Sequence, residues 1–120
     1  MNLIIDHREK DLKKIFDSYE NVSFDNLDIG DIQFNYNKEI FLLIERKTIK
    51  DFVSSMKDKR YSEQKLRLKN NIDSDKIIYL LEGNLDNFQG DKIDGIPKKK
   101  IVSTNISLLI KDNIKTRKYS

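Results

Sequence analysis

The sequence predicts an α/β domain with a mixed central sheet, one antiparallel hairpin inside it, and helices on both faces. Three observations carry that expectation. Short apolar runs suited to strands alternate with segments of helical periodicity for most of the length. The polar–apolar alternation Asp31-Ile32-Gln33-Phe34-Asn35-Tyr36 is followed, after three turn-forming residues, by the unbroken run Ile40-Phe41-Leu42-Leu43-Ile44. The length of 120 residues, 38% of them apolar, suffices for one core and not for two.

Residues 2–6 are a short apolar run ending at Asp6, as a buried strand would be. Leu12, Ile15 and Phe16 give residues 8–18 a helical pattern, and residues 22–27 read as a short strand. The alternating segment 31–36 is a half-buried strand. The run 40–44 reads as a strand buried on both faces, hence central, that stops at Glu45-Arg46-Lys47. Thr48 has the character of an N-cap, and Ile49, Phe52, Val53 and Met56 form one apolar helical face behind it. A second helix is expected over 59–70 and another buried strand over 76–82. Residues 83–97 hold three glycines and the only proline and read as a loop. A helix over 101–110 and a strand over 113–118 complete the pattern, with no repeat and no internal linker.

Composition removes several chemistries. No cysteine is present, which excludes disulfides, a thiol nucleophile and a thiolate zinc site. A single histidine, His7, rules out a His-rich metal centre and disfavours a Ser-His-Asp triad. No apolar run approaches the ~20 residues a membrane helix needs and no signal-peptide pattern opens the chain, so a soluble intracellular domain is expected. Net charge is +3 and the pI about 9.0, a weak basic bias whose arrangement matters more than its size.

The hairpin carries the chemistry. Glu45 and Lys47 are two apart on one strand and share a face, while Arg46 points to the other. If residues 37–39 form a three-residue loop, Tyr36 pairs with Ile40 and Asp31 falls opposite Glu45. A two-residue loop would shift the register by one and turn Asp31 to the far face. Directly opposed carboxylates have Cβ atoms ~4.5–5.5 Å apart and repel, so they need a proton or a cation between them. Oxygen ligands without histidine suit Mg²⁺ or Mn²⁺. Lys47 is placed to hold an attacking water or offset charge on a scissile phosphate, and Asp6, at a strand end, can add a third carboxylate.

These residues also form a family pattern. Asp6-His7-Arg8-Glu9, Gly30-Asp31, and Glu45-Arg46-Lys47 followed by Asp51 resemble the signature of the XPF/Mus-type structure-specific DNA endonucleases. The segment from Ser55 to Leu68, the run Ile77-Ile78-Tyr79-Leu80-Leu81-Glu82-Gly83 and Ser103-Thr104-Asn105 extend the likeness over nearly the whole chain. The resemblance implies a variant of the restriction-endonuclease fold and a metal-dependent nuclease domain over residues 1–120. The substrate it implies is branched or flap DNA, including four-way junctions, of the kind met in repair and recombination. It implies Asp31 and Glu45 as metal ligands with the backbone carbonyl of Arg46, Lys47 as the catalytic lysine, and Asp6 as a further ligand or a partner of the ligands. Arg46 would support the site or touch the DNA backbone, with Arg8, Glu9 and Asp51 lining or supporting it. Thr48-Ile49-Lys50-Asp51 is equally a capping-box pattern, which gives Asp51 a structural role. Arg60, Gln64 and Arg67, at i, i+4 and i+7 with Lys59 beside them, form a row suited to DNA phosphates.

Two departures stand out. Lys59 occupies a position where the family has glycine, so the turn before that helix is expected to differ. The family's further nuclease helix and its helix-hairpin-helix module are not seen, so a C-terminal truncation is expected. Pairing with a second, identical or related subunit is implied by the resemblance alone. Two other readings compete: a catalytically silent DNA-binding or scaffolding subunit, which would tend to lose Asp31, Glu45 or Lys47, and a basic domain that binds nucleic acid without cutting it.

Overall fold

A computed structural model describes residues 2–119. Its centre is a six-stranded sheet of order β2-β1-β3-β4-β5-β8. The strands are β1 (Asn2–Asp6), β2 (Val22–Asp25), β3 (Ile32–Tyr36), β4 (Glu39–Thr48), β5 (Ile77–Glu82) and β8 (Lys115–Tyr119). β1 runs parallel to β2 and antiparallel to β3, β3 and β4 form the antiparallel hairpin, and β4, β5 and β8 run parallel. A separate ribbon pairs β6 (Lys92–Ile93) with β7 (Ile96–Pro97). The helices are α1 (Lys10–Phe16), α2 (Ile49–Lys57), α3 (Arg60–Asn71) and α4 (Lys98–Asp112).

The core forms where α3 and α4 lie over the central strands: Leu43, Ile77 and Tyr79 pack with Leu68, Leu108 and Ile114. A second cluster joins Ile49 and Val53 of α2 to Ile93 and Ile101. α1 buries no residue, and Ile15, one of the apolar residues that give it a helical pattern, is 60% exposed.

The hairpin departs from expectation in an instructive way. Its loop has two residues, Asn37 and Lys38, both with positive φ, so Tyr36 pairs with Glu39 and not with Ile40. Two left-handed residues match the twist of the flanking strands. This shorter loop alone would carry Asp31 to the far face. A β-bulge prevents that: Asn35 faces Ile40 but Phe34 faces Leu42, so Phe41 is an extra residue on β4. The register returns to the one that sets Asp31 toward Glu45. Phe41 is left 54% exposed, so this strand, though central in the sheet, is not covered on both faces along its length.

β4 also continues through Glu45, Arg46 and Lys47 to Thr48, because β5 pairs alongside it as far as Thr48–Glu82. Thr48 then caps α2, its hydroxyl accepting the Asp51 N–H at 3.1 Å. The expected loop 83–97 contains the β6–β7 ribbon, whose turn is Asp94-Gly95, both with positive φ. α4 begins directly after Pro97, where the lysine run Lys98-Lys99-Lys100 is read as a helix start, and so precedes the apolar periodicity of 101–110 by three residues.

Lys59 adopts φ +67° at the N-terminus of α3. The turn therefore keeps the left-handed backbone that glycine accommodates, and a lysine bears its steric cost of about 1–2 kcal/mol. Lys59→Gly is expected to stabilise the chain by about 1 kcal/mol, part of the relief being lost to unfolded-state entropy. A higher urea midpoint at unchanged slope checks this; an unchanged or lower midpoint contradicts it.

Candidate active site

Sheet register gathers the site. Gln33 stands opposite both Ile4 and Leu43, so the row two residues further along the three strands holds Asp6, Asp31 and Glu45 on one face. The backbone follows: the Asp6 N–H donates to the Asp31 carbonyl and the Asp31 N–H to the Ile44 carbonyl, each at 2.9 Å. Gly30 makes this approach possible. Its φ is +72°, and a Cβ there would lie 2.5 Å from Leu43 Cδ1.

Asp31 and Glu45 line a cleft of about 190 Å³, with Arg8, Asp28, Gln64 and Arg67 around them. Asp31 Oδ2 accepts the Arg46 N–H at 2.7 Å, which fixes the carboxylate. Burial is the main cause that raises the Asp31 pKa, to about 6; the Arg46 N–H and Arg8 oppose it, while Glu9 and Asp6 add to it. Burial likewise raises Glu45 to about 7, with Asp31 as the second cause. Glu45 lies beside Tyr79 of β5, which is 1% exposed, so part of its surroundings is apolar. Two carboxylates that resist joint ionisation are a donor set suited to a hard cation.

Lys47 follows Glu45 on the same face, and its ammonium donates to Gln64 Oε1 on α3. Burial lowers the Lys47 pKa, the Glu45 charge opposing that and Arg60 reinforcing it. The row expected to touch phosphate thus divides. Gln64 holds Lys47, Arg67 donates to the Asp28 carbonyl at 2.6 Å, and Arg60 pairs with Asp58 at 2.7 Å. Gln64 and Arg67 line the cleft; Lys59 is an exposed residue at the turn.

Asp6, 1% exposed, is committed elsewhere. Its Oδ1 accepts from the Arg8 N–H and Nε at 2.9 and 2.8 Å, and its Oδ2 from Arg8 Nη2 at 3.0 Å and the Leu27 N–H at 2.9 Å. The Arg8 side chain holds its carboxyl well below the usual range. Among the described residues no three His, Asp or Glu gather as one metal-holding group. Its four hydrogen bonds make Asp6 a brace for Arg8 and for the loop at Leu27. Arg46 points away from Glu45 and bridges Glu9 at 2.7 Å and Glu82 at 3.0 Å. Asp51 supplies its amide to the Thr48 cap, and His7 is exposed.

Sequence reasoning missed the partnerships that cross the fold: Gln64 with Lys47, Arg67 with the 27–30 loop, and Glu82 with Arg46. The only signal for Glu82 was its place at the end of an apolar strand next to β4.

Comparison with known proteins agrees with this architecture. Residues 5–119 match the ERCC4 domain. A Methanocaldococcus jannaschii protein named as an ATP-dependent RNA helicase is 31% identical over 114 residues, covering 94% of this chain and 14% of that protein. Two structures of XPF from Aeropyrum pernix, one described as a complex with DNA, superpose with TM-scores of 0.74 and 0.75 at 22% identity. Each covers 98% of this chain, which spans 55% and 53% of theirs, about half their length.

Proposed function

This chain belongs to the ERCC4-domain family of structure-specific nucleases, and from that premise we propose that it is a divalent-metal-dependent DNA endonuclease domain acting on branched or flap DNA. The observation that carries the reading is the pair Asp31 and Glu45, raised together in one solvent-open cleft beside Lys47. The M. jannaschii relative and the A. pernix structures, one of them with DNA, support a nucleic-acid substrate.

Asp31 and Glu45, with the backbone carbonyl of Arg46, would hold Mg²⁺ or Mn²⁺, which supplies Lewis-acid polarisation of a phosphodiester and a more acidic water. The Arg46 N–H keeps the Asp31 carboxylate aimed at the cleft. Lys47, steadied by Gln64, orients the attacking water or offsets charge growing on the phosphate. Arg8 and Arg67 rim the cleft and bind the flanking phosphates. Arg46 pairs with Glu9, whose negative charge acts on both carboxylates, and so tempers that repulsion.

Residues 1–120 form the nuclease domain in this reading. The exposed apolar stripe Val102, Ile106, Leu109 and Ile110 on α4, next to the edge strand β8, supports pairing with a second, identical or related subunit. No described helix is long and apolar enough to cross a membrane, and a DNA substrate implies an intracellular site of action. The presence of all three of Asp31, Glu45 and Lys47 favours a cutting over a scaffolding subunit.

The test is a cleavage assay on flap, fork, four-way-junction and plain duplex DNA with Mg²⁺ or Mn²⁺, and again in chelator. Cutting of branched forms that stops in chelator is expected; cutting that persists there overturns the mechanism.

A further inference from the structure

We propose that the groove between α3 and α4 is a second binding site for a phosphodiester backbone, separate from the cleft that holds Asp31 and Glu45. The inference rests on the nuclease reading above and extends it to where the rest of the substrate lies.

α4 presents three different stripes. Ile101 and Leu108 face the core, while Val102, Ile106, Leu109 and Ile110 form the exposed apolar face. The third stripe, Lys100, Ser103, Thr104, Ser107 and Lys111, recurs at intervals of three, one, three and four and lines a groove of about 370 Å³. Tyr61 and Lys65 of α3 form the opposite wall, so the groove has neither an acidic nor an aliphatic lining residue.

Its charge balance is positive. Lys65 is matched by Asp112 at 3.0 Å, but Asp112 also receives Lys69 at 2.9 Å, so one carboxylate serves two ammoniums. Lys100 and Lys111 make no ion pair among the described residues. Ser103 and Thr104 donate their hydroxyls back to the Lys100 carbonyl, at 3.1 and 2.7 Å. Recognition is therefore left to the two lysines, while the short side chains between them let a backbone approach the helix. Lys100 and Lys111 are about 16 Å apart along the helix, roughly five steps of a duplex strand. This length favours a polymer over a single free phosphate.

α3 divides the two sites. It gives Gln64, Arg67 and Leu68 to the cleft and Tyr61 and Lys65 to the groove. DNA engaged in the cleft can thus place a further segment across α3 against α4.

The experiment measures anisotropy of fluorescein-labelled forked DNA with the 120-residue chain across a salt series, in chelator. It compares Lys100→Ala/Lys111→Ala with a control of equal charge loss, Lys14→Ala/Lys38→Ala, on α1 and the hairpin turn. The groove variant is expected to bind about 10-fold more weakly at moderate salt, with the slope of log affinity on log salt reduced by about 2. The control should stay within about twofold at nearly unchanged slope. A groove variant that matches its control overturns the proposal. Wild-type chain that binds with this groove dependence yet cuts nothing in Mg²⁺ or Mn²⁺ overturns the nuclease reading and leaves the groove in place.

Discussion

Glu45→Gln is expected to abolish cleavage and, in the same molecule, to raise thermal stability at about pH 8. In the proposed mechanism, loss of activity follows from removing one of the two carboxylates that would hold the ion, an effect on the order of 10³-fold or more. The gain in stability follows from linkage. In the folded chain Asp31 is raised from 3.8 to about 6 and Glu45 from 4.5 to about 7. Between those unfolded and folded values the native state binds more protons than the unfolded chain, so stability falls as pH rises through that window. Below it both states are protonated and nothing is lost; above it the full penalty applies. Glutamine keeps a similar shape and is neutral throughout. It should therefore stabilise the metal-free protein by roughly 2 kcal/mol at about pH 8 and by little at about pH 4.

Calorimetry at both pH values in chelator reads this directly. A gain of equal size at both would assign the effect to packing, and a loss at about pH 8 would mean that Glu45 is not held above its solution pKa. Adding Mg²⁺ should raise the midpoint of wild type and not of the variant.

Asp31 and Glu45 show how much of this was legible and why the rest was not. Their residue types, the Gly30-Asp31 turn and the strand carrying Glu45 and Lys47 are local features, and local periodicity reveals them. Their shared face was expected from a three-residue loop. The protein reaches the same juxtaposition through a two-residue turn and a compensating bulge at Phe41. The bulge leaves no mark in the alternation, because Ile40-Phe41-Leu42 is apolar throughout. The Asp94-Gly95 turn was legible in principle, since Asp-Gly between two isoleucines is a hairpin signal, but the glycines around it suggest a plain loop. Asp6 could not have been resolved. Whether a carboxylate at a strand end faces a ligand or an arginine two residues on depends on the loop, and here Arg8 and the Leu27 N–H give its two oxygens four hydrogen bonds. Gln64 and Lys47 are 17 residues apart, and only the packing of α3 brings them together.

Arg46→Ala, unlike Glu45→Gln, is expected to destabilise the fold. The Arg46 guanidinium and the Glu9 carboxylate are each 16% exposed, and Glu82 is 38% exposed. Deleting the cation strands Glu9 in a poorly solvated position, and breaking such a pair from one side costs about 3 kcal/mol or more. Glu82→Ala, at the wetter end of the bridge, should cost under about 1 kcal/mol. Arg46→Lys can satisfy one carboxylate as a point charge but cannot fork between two, so its cost should fall between. Urea titration of the three variants gives the order, and an Arg46→Ala no worse than Glu82→Ala would show that Glu9 finds water instead. The same substitution reaches the chemistry through charge. Glu9 already pushes both Asp31 and Glu45 upward, and the Asp31 amide contact belongs to the Arg46 backbone, which alanine retains. With Glu9 released from its guanidinium, more of its charge acts on the pair, and both should ionise at higher pH. The rising limb of the rate–pH profile of Arg46→Ala should therefore move upward, and supplying more Mg²⁺ should move it back. A merely destabilised protein would lose amplitude at every pH and leave that limb where it was.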